Sequence, residues 1–518
     1  MKKPVSGSFL LVPVVKLKSF LEEYGKKFFI FTSIGMVATG IVVRIIMYAK
    51  NRSLWVDETA LAMSIVSGNW LELLTPPLSN GQSAPVLYVL TVKAISSALG
   101  YSEFSLRIFS FFAFAGFLVC MAILLKKAFN LNIYKIAFAV IVCALLPTYI
   151  WYSNELKPYM SDALFVILTI LLYFYYTQEK IKLLPLTVLY ILILGFSSPA
   201  IFFIGGTLLY EFIAAVSGKN RKRILSVSAS GAIIVIVFAA YYFCWMAPVA
   251  EKMGRYWSEV REHRGTIKQI LNIFSGPANS KSHFVWFFVP FSLLGIYSSI
   301  KSRNKIAYSV ALSLLLTFFA SSIGKWPLTG RLWLFLPAIV LVFTPIGFEF
   351  IADKTKYKKL AGKTGFVIFF IITVCLLINS LMYTGDKMFF TRQEINPLIR
   401  YIQENIKDSE KLYVYSPARE AFEFKNGYNV TKIGNVTKDT IIFGENRDEW
   451  NEKSLGNELR LILENEKTYL LFQHHRTGID NGLTVLRDYG TLTEIMNAHN
   501  TPLYYFERNN ISPYIYKE

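Results

Sequence analysis

FFIFTSIGMVATGIVVRIIMYAKNRSLWVDETALAM, residues 28–63, holds an apolar run, Phe28 to Tyr48, followed by a Trp and two adjacent carboxylates, Asp57 and Glu58. About 20 apolar residues are enough for a helix to cross a bilayer. The run from Phe28 to Tyr48 is too long for the core of a signal peptide and lacks a small-residue cleavage site, so it reads as an uncleaved first span. The acidic pair therefore stands where the chain leaves the membrane.

The whole chain fits that reading. Of 518 residues, 53% are hydrophobic and only 17% charged, below the usual quarter for soluble domains. Similar runs lie near 28–48, 105–125, 134–152, 159–177, 184–197, 199–217, 224–246, 284–300, 306–323, 332–352 and 366–383, predicting eleven spans. The net charge of +19 is unevenly placed: residues 384–518 hold 17 Lys and Arg against 20 Asp and Glu, leaving 37 against 15 before them. The excess sits in short loops between apolar runs, among them KNRKR (219–223), KSRNK (301–305) and KTKYKK (354–359), after the sixth, eighth and tenth spans. This is the positive-inside pattern, not a nucleic-acid footprint. It puts the N-terminus and these clusters in the cytoplasm, and the loops 49–104 and 247–283 outside, with the C-terminal tail. Cys120, Cys143, Cys244 and Cys375 fall far apart within apolar runs, as small hydrophobes rather than a disulfide or zinc framework.

The expected fold class is thus a membrane all-α, polytopic bundle over residues 1–383, followed by a soluble α/β domain over 384–518. In the tail, INPLIRYIQENI (395–406) has helical periodicity, KLYVYS (411–416) and KTYLLFQ (467–473) read as strands, and LTEIMNAHN then PLYYFE (492–507) as helix and strand. In the first outer loop the segment 86–99 reads as a semi-apolar helix lying in the interface.

Four loci on one side carry chemistry. Asp57 and Glu58 suit the first turn of a helix by dipole alone. Yet ionisable groups at a membrane surface are functional candidates, because burying them without a partner is costly. WYSNELKPYMSD (151–162) joins two spans with hardly any loop and brings Glu155 and Lys157 to the same face; an aromatic belt with a snorkelling lysine is the plainer account. GKWPLTGRLW (324–333) offers Lys325 and Arg331, as interface anchors or as a phosphate cradle. Arg107 opens the second span. Acids beside bases divide the labour of transfer from a lipid phosphate: a carboxylate takes the proton of an acceptor hydroxyl or holds a divalent metal, with Asp57 and Glu155 the ligands in that case, while the cations bind the phosphate. His474 and His475 are adjacent on a strand-like segment and would face opposite ways, so they read as a solvated turn.

The order LWVDETALA, SAPVLYVL, GYSEFSLRIFS, PTYIWYSNELKPY resembles the polyprenol-phosphate-sugar-dependent glycosyltransferases of the GT-C class. The branch it is most similar to holds the protein O-mannosyltransferases and the lipid A aminoarabinose transferases. The likeness covers about residues 28–180 by motif and the rest by span pattern and GRLWLFLP. It implies an inverting transferase with Asp57 as base, Glu58 and Glu155 as the other acids, and Arg107 as a cation of the site. Lys157, Lys325 and Arg331 are phosphate candidates by placement. The implied partners are a polyprenyl-phosphate-linked sugar, an acceptor glycan, lipid or protein, and the membrane lipids, with no nucleic acid; a divalent metal is a candidate cofactor. The expected location is a bacterial inner membrane, with an endoplasmic reticulum membrane as the alternative; the sequons at Asn429 and Asn435 would matter only in the latter. Two positions depart from the family: Leu61 replaces an aromatic residue, and GQSAP (81–85) lacks a histidine. A flippase for lipid-linked glycans and a membrane-anchored binding module are the competing readings.

Overall fold

The structure is a computed structural model that describes residues 11–75, 78, 82–252, 274, 282–327, 330–354, 358–389, 393–426, 432–433, 436–437, 440–445, 452–473 and 479–509. Most of the loop 247–283, the pair His474–His475 and the sequons at Asn429 and Asn435 lie outside the described residues.

The chain is a polytopic helical bundle with a C-terminal α/β domain. In order, the first ten helices are α1 (Leu11–Ala49), α2 (Val56–Ser67), α3 (Val86–Leu99), α4 (Glu103–Lys127), α5 (Ile133–Leu145), α6 (Pro147–Tyr152), α7 (Tyr159–Thr177), α8 (Leu183–Phe196), α9 (Ala200–Ser217) and α10 (Arg221–Tyr241). A single π-helical turn, Tyr242–Met246, extends α10. Four more helices follow at Val289–Lys301, which the 3-10 stretch Ser282–Phe288 extends at its start, Lys305–Ser322, Leu336–Asp353 and Lys358–Phe389.

Among the described residues, nine helices are long and apolar enough to cross a membrane, and α3, α5 and α8 are apolar but shorter. Every expected span therefore has its helix, two of them at reduced length. The expected span 134–152 is broken at Leu146, and Pro147 starts α6 afresh. Proline suits a first helical turn, where its missing N–H has no partner to lose. The break turns α6 so that Trp151 faces Glu155. Helix α3 packs on α4 and α8 and buries Tyr88, Val89 and Val92.

The helix that follows the turn carrying Arg331 makes one very close crossing. Helices Val289–Lys301 and Leu336–Asp353 touch backbone to backbone at Gly295 and Gly347, where an added Cβ would lie 2.1 Å from Phe343 O and 1.7 Å from Phe291 O. Close contact through small residues is how helices associate without a hydrophobic driving force. Gly347→Val forces these backbones apart, and overpacking of this kind costs about 1–3 kcal/mol or more. The expected result is a lower unfolding temperature in detergent; unchanged thermal stability would contradict the contact.

The C-terminal domain holds a five-stranded mixed sheet in the order β4-β1-β5-β7-β6, formed by β1 (Lys411–Val414), β4 (Ile441–Phe443), β5 (Lys467–Leu471), β6 (Gly490–Asn497) and β7 (Pro502–Arg508); β2 (Lys432–Ile433) and β3 (Val436–Thr437) form a separate two-stranded ribbon. Strands β1, β4 and β5 run parallel, whereas β5–β7 and β6–β7 are antiparallel. The helix at Asn396–Asn405 and the strands at 411 and 467 match the sequence reading. The segment 492–500 does not: Leu492–Asn497 belongs to β6, an edge strand paired with β7 from Leu492↔Phe506 to Asn497↔Pro502. Alternating side chains in Thr-Leu-Thr-Glu-Ile-Met and a ready β7 partner outweigh a weak helical pattern.

Candidate active site

The segment between α1 and α2, the start of α4, the turn after α6 and the turn Gly330–Trp333 meet at one end of the bundle. Glu58 lies in the first turn of α2 and is fully buried. Arg107, one turn into α4, grips it with two bonds: Nε donates to Oε1 at 2.8 Å and Nη2 to Oε2 at 2.6 Å. The Leu156 backbone N–H donates to the same carboxylate at 2.7 Å. Arg107 also donates to the carbonyls of Arg52 at 2.8 Å and Ser53 at 3.2 Å. Burial pushes the Glu58 carboxyl up, but Arg107, Arg52 and the Leu156 N–H outweigh it and bring it down to about 2. Glu58 and Arg107 are thus a satisfied, charge-paired knot tying three chain segments together.

Asp57, one residue earlier on α2, is more open. Its Oδ2 lies 3.1 Å from Arg331 Nη1, with side-chain exposures of 23% and 30%. These residues are 274 positions apart.

Glu155 is fully buried; Trp151 Nε1 donates to its Oε1, and Arg52 Nη2 lies 3.8 Å from the same oxygen. Arg52 also donates to Asn154 O at 2.9 Å and stacks over the Trp151 ring, 4.8 Å from its centroid. Lys157, 5% exposed, donates to Gln82 Oε1 at 2.6 Å. Burial lowers its ammonium to about 8; Asp57 pulls it back up and Arg331 pushes it down further. Asp57, Arg331 and Lys157 therefore share one electrostatic environment.

The seven residues singled out in the sequence divide accordingly. Asp57, Glu58, Arg107, Glu155, Lys157 and Arg331 come together. Lys325 engages a different partner: it is exposed, its Nζ is 3.4 Å from Tyr242 Oη and it lies over that ring. Two residues escaped the sequence reading. Arg52 had a usable signal, since it is a basic residue at an exit expected to be poor in them. Gln82 stands in GQSAP (81–85), and it holds Lys157. Among the described residues, no group of three or more His, Cys, Asp or Glu side chains is placed to hold a metal. Asp57 and Glu155 each face an arginine instead, which is not the donor set of a divalent cation.

No family model and no curated protein matches the chain. Solved structures do. The apo crystal structure of ArnT from Cupriavidus metallidurans aligns with a TM-score of 0.53 at 11% identity, covering 91% of this chain and 97% of that one. The same enzyme bound to undecaprenyl phosphate aligns with a TM-score of 0.52 over the same shares. The chain has the ArnT fold. The likeness of fold spans nearly the whole chain, well beyond the segment 28–180 that carries the motifs read from the sequence.

Proposed function

We propose that the protein is an integral membrane glycosyltransferase that moves a sugar from a polyprenyl monophosphate to an acceptor hydroxyl on a glycan, lipid or protein, with inversion at the anomeric carbon. The observation that carries this is the half-open Asp57–Arg331 pair beside buried Lys157: one carboxylate that solvent can reach, next to two cations. The ArnT fold, seen elsewhere with undecaprenyl phosphate, supports the donor class.

In this mechanism Asp57 takes the proton of the acceptor hydroxyl as its oxygen attacks the anomeric carbon. The bond from that carbon to the phosphate oxygen breaks, and the polyprenyl phosphate leaves with the bonding pair. Arg331 and Lys157 stabilise the charge gathering on it. Glu58 and Arg107 hold α2 and α4 in register, and Glu155 with Arg52 orients the turn that carries Lys157. Lys325 remains a phosphate candidate only at the periphery, over Tyr242.

The loop 49–104 and the C-terminal domain face the outside in this reading, and the basic clusters and N-terminus the cytoplasm of a bacterial inner membrane. The membrane domain would end near residue 383. The deciding experiment is reconstitution in liposomes with a labelled polyprenyl-phosphate sugar. Transfer with release of polyprenyl phosphate supports the enzyme; movement of intact donor between leaflets without cleavage would instead establish a flippase.

Lys157 makes the reaction pH-sensitive. Its ammonium loses its proton as pH rises through about 8, so the donor KM is expected to rise about tenfold above that value as one charged hydrogen bond is lost. Lys157→Gln, neutral throughout, flattens the profile. Stability moves the other way. Between about 8 and the ordinary 10.5 the unfolded chain binds the proton more tightly than the folded one, so folding is favoured as pH rises there. A donor KM that stays level in wild type from pH 7 to 9 would remove Lys157 from the phosphate site.

A further inference from the structure

Helix α2 starts at Val56 behind Trp55, whose side chain has no acceptor for the free N–H groups of a first turn. Glu58 reaches back to the Trp55 N–H only at 3.5 Å. The missing acceptor comes from 337 residues away: the Val56 N–H donates to Gln393 Oε1 at 3.1 Å, and Gln393 is 5% exposed. Next to it, Glu394 accepts from the Ser53 N–H at 3.1 Å and from Ser53 Oγ at 2.8 Å. Asn396 closes the contact, its N–H donating to Ser53 Oγ at 3.1 Å. The other face of Ser53 is its carbonyl, which holds Arg107.

The same segment is anchored in the C-terminal domain, because the Glu394 N–H donates to Ala498 O at 3.2 Å, just past β6. A second bridge reaches α4. Glu103, in its first turn, accepts from Asn396 Nδ2 at 3.0 Å and pairs with Lys425 Nζ at 3.1 Å. Lys425 lies in the last turn of the helix Ser416–Asn426, which packs along α2 and places Phe424 against the cluster of Leu61, Ile65 and Leu106.

We propose that residues 393–396 form a positioning strap by which the C-terminal domain caps α2 and sets Asp57 and the Glu58–Arg107 knot for transfer. This rests on the proposed glycosyltransferase reading and extends it: the domain is part of the site's frame rather than only a platform for acceptors. Gln393 and Glu394 act through α2 and Ser53 and are positioning residues.

Two measurements on the full-length protein in nanodiscs separate the strap from the transferase reading. The first, amide hydrogen exchange, needs no turnover. In Gln393→Leu, which keeps the bulk but has no acceptor, exchange in the peptide covering 54–66 is expected to rise about tenfold, the scale of a lost helix cap. Gln393→Glu, which can still accept, restores wild-type protection, and the peptide covering α9 is unchanged throughout. Wild-type exchange in Gln393→Leu overturns the strap, as does equal loss of protection in α9 or failure of Gln393→Glu to restore it. The second measurement is kinetic. Gln393→Leu lowers kcat about tenfold at saturating acceptor, and adds nothing further in an Asp57→Asn background. A rise in acceptor KM alone, with kcat unchanged, would mean that the domain only binds acceptor and would overturn the strap. A wild-type protein inactive with every lipid-linked sugar would end the transferase reading, while the exchange result would still decide the strap.

Discussion

Asp57→Asn lowers sugar transfer by about 10²–10⁴-fold, the range a positioned general base contributes, and leaves the fold intact. Asparagine keeps the size of the side chain and an oxygen facing Arg331, but it cannot take the acceptor's proton. The structural cost is small because both partners of the pair are partly exposed, and such pairs are worth about 0–1 kcal/mol. Labelled-sugar incorporation in proteoliposomes, set beside thermal unfolding of the same preparation, checks both halves. Transfer within threefold of wild type would remove Asp57 as the base.

Glu58→Gln, one residue along, has the opposite profile. The Glu58 carboxylate is fully buried and receives two bonds from Arg107 and one from the Leu156 N–H. Removing its charge leaves Arg107 buried and uncompensated, a loss of about 3–5 kcal/mol. The protein is expected to unfold at a clearly lower temperature, and its activity to fall with the folded fraction. Replacing both partners, Glu58→Leu with Arg107→Leu, recovers part of the stability, since no lone charge then remains. Intrinsic-fluorescence melts of Glu58→Leu, Arg107→Leu and the double variant form a mutant cycle. Additive losses would mean that the two side chains do not act as a pair.

The contrast between neighbours shows what a linear motif conveys. The letters DE mark a place where carboxylates are needed, but residues 57 and 58 of one helix turn point in directions about 100° apart. One meets α4, the other the turn at 330–333. Their spacing along the chain says nothing about which partner lies on which side. The same limit explains Lys325 and Arg331, both in GKWPLTGRLW: the turn at Gly330–Trp333 presents Arg331 to Asp57, whereas Lys325 lies over Tyr242. The segment 492–500 failed for a related reason. Its strand state depends on the partner β7, and pairing energy outweighs local preference.

By itself the sequence determined the bundle, because twenty-residue apolar runs have few other fates in a chain of this length and the hydrocarbon thickness sets their period. It determined the α/β character of the tail, which the mixed sheet displays. Only the tertiary structure decided the pairings: Glu58 with Arg107, Asp57 with Arg331, Lys157 with Gln82, and Gln393 with the first turn of α2. Those contacts join residues 49 to 337 positions apart. Charge pairing and capping depend on distances of a few ångströms, and such distances are set by how the helices cross rather than by the order of residues along them.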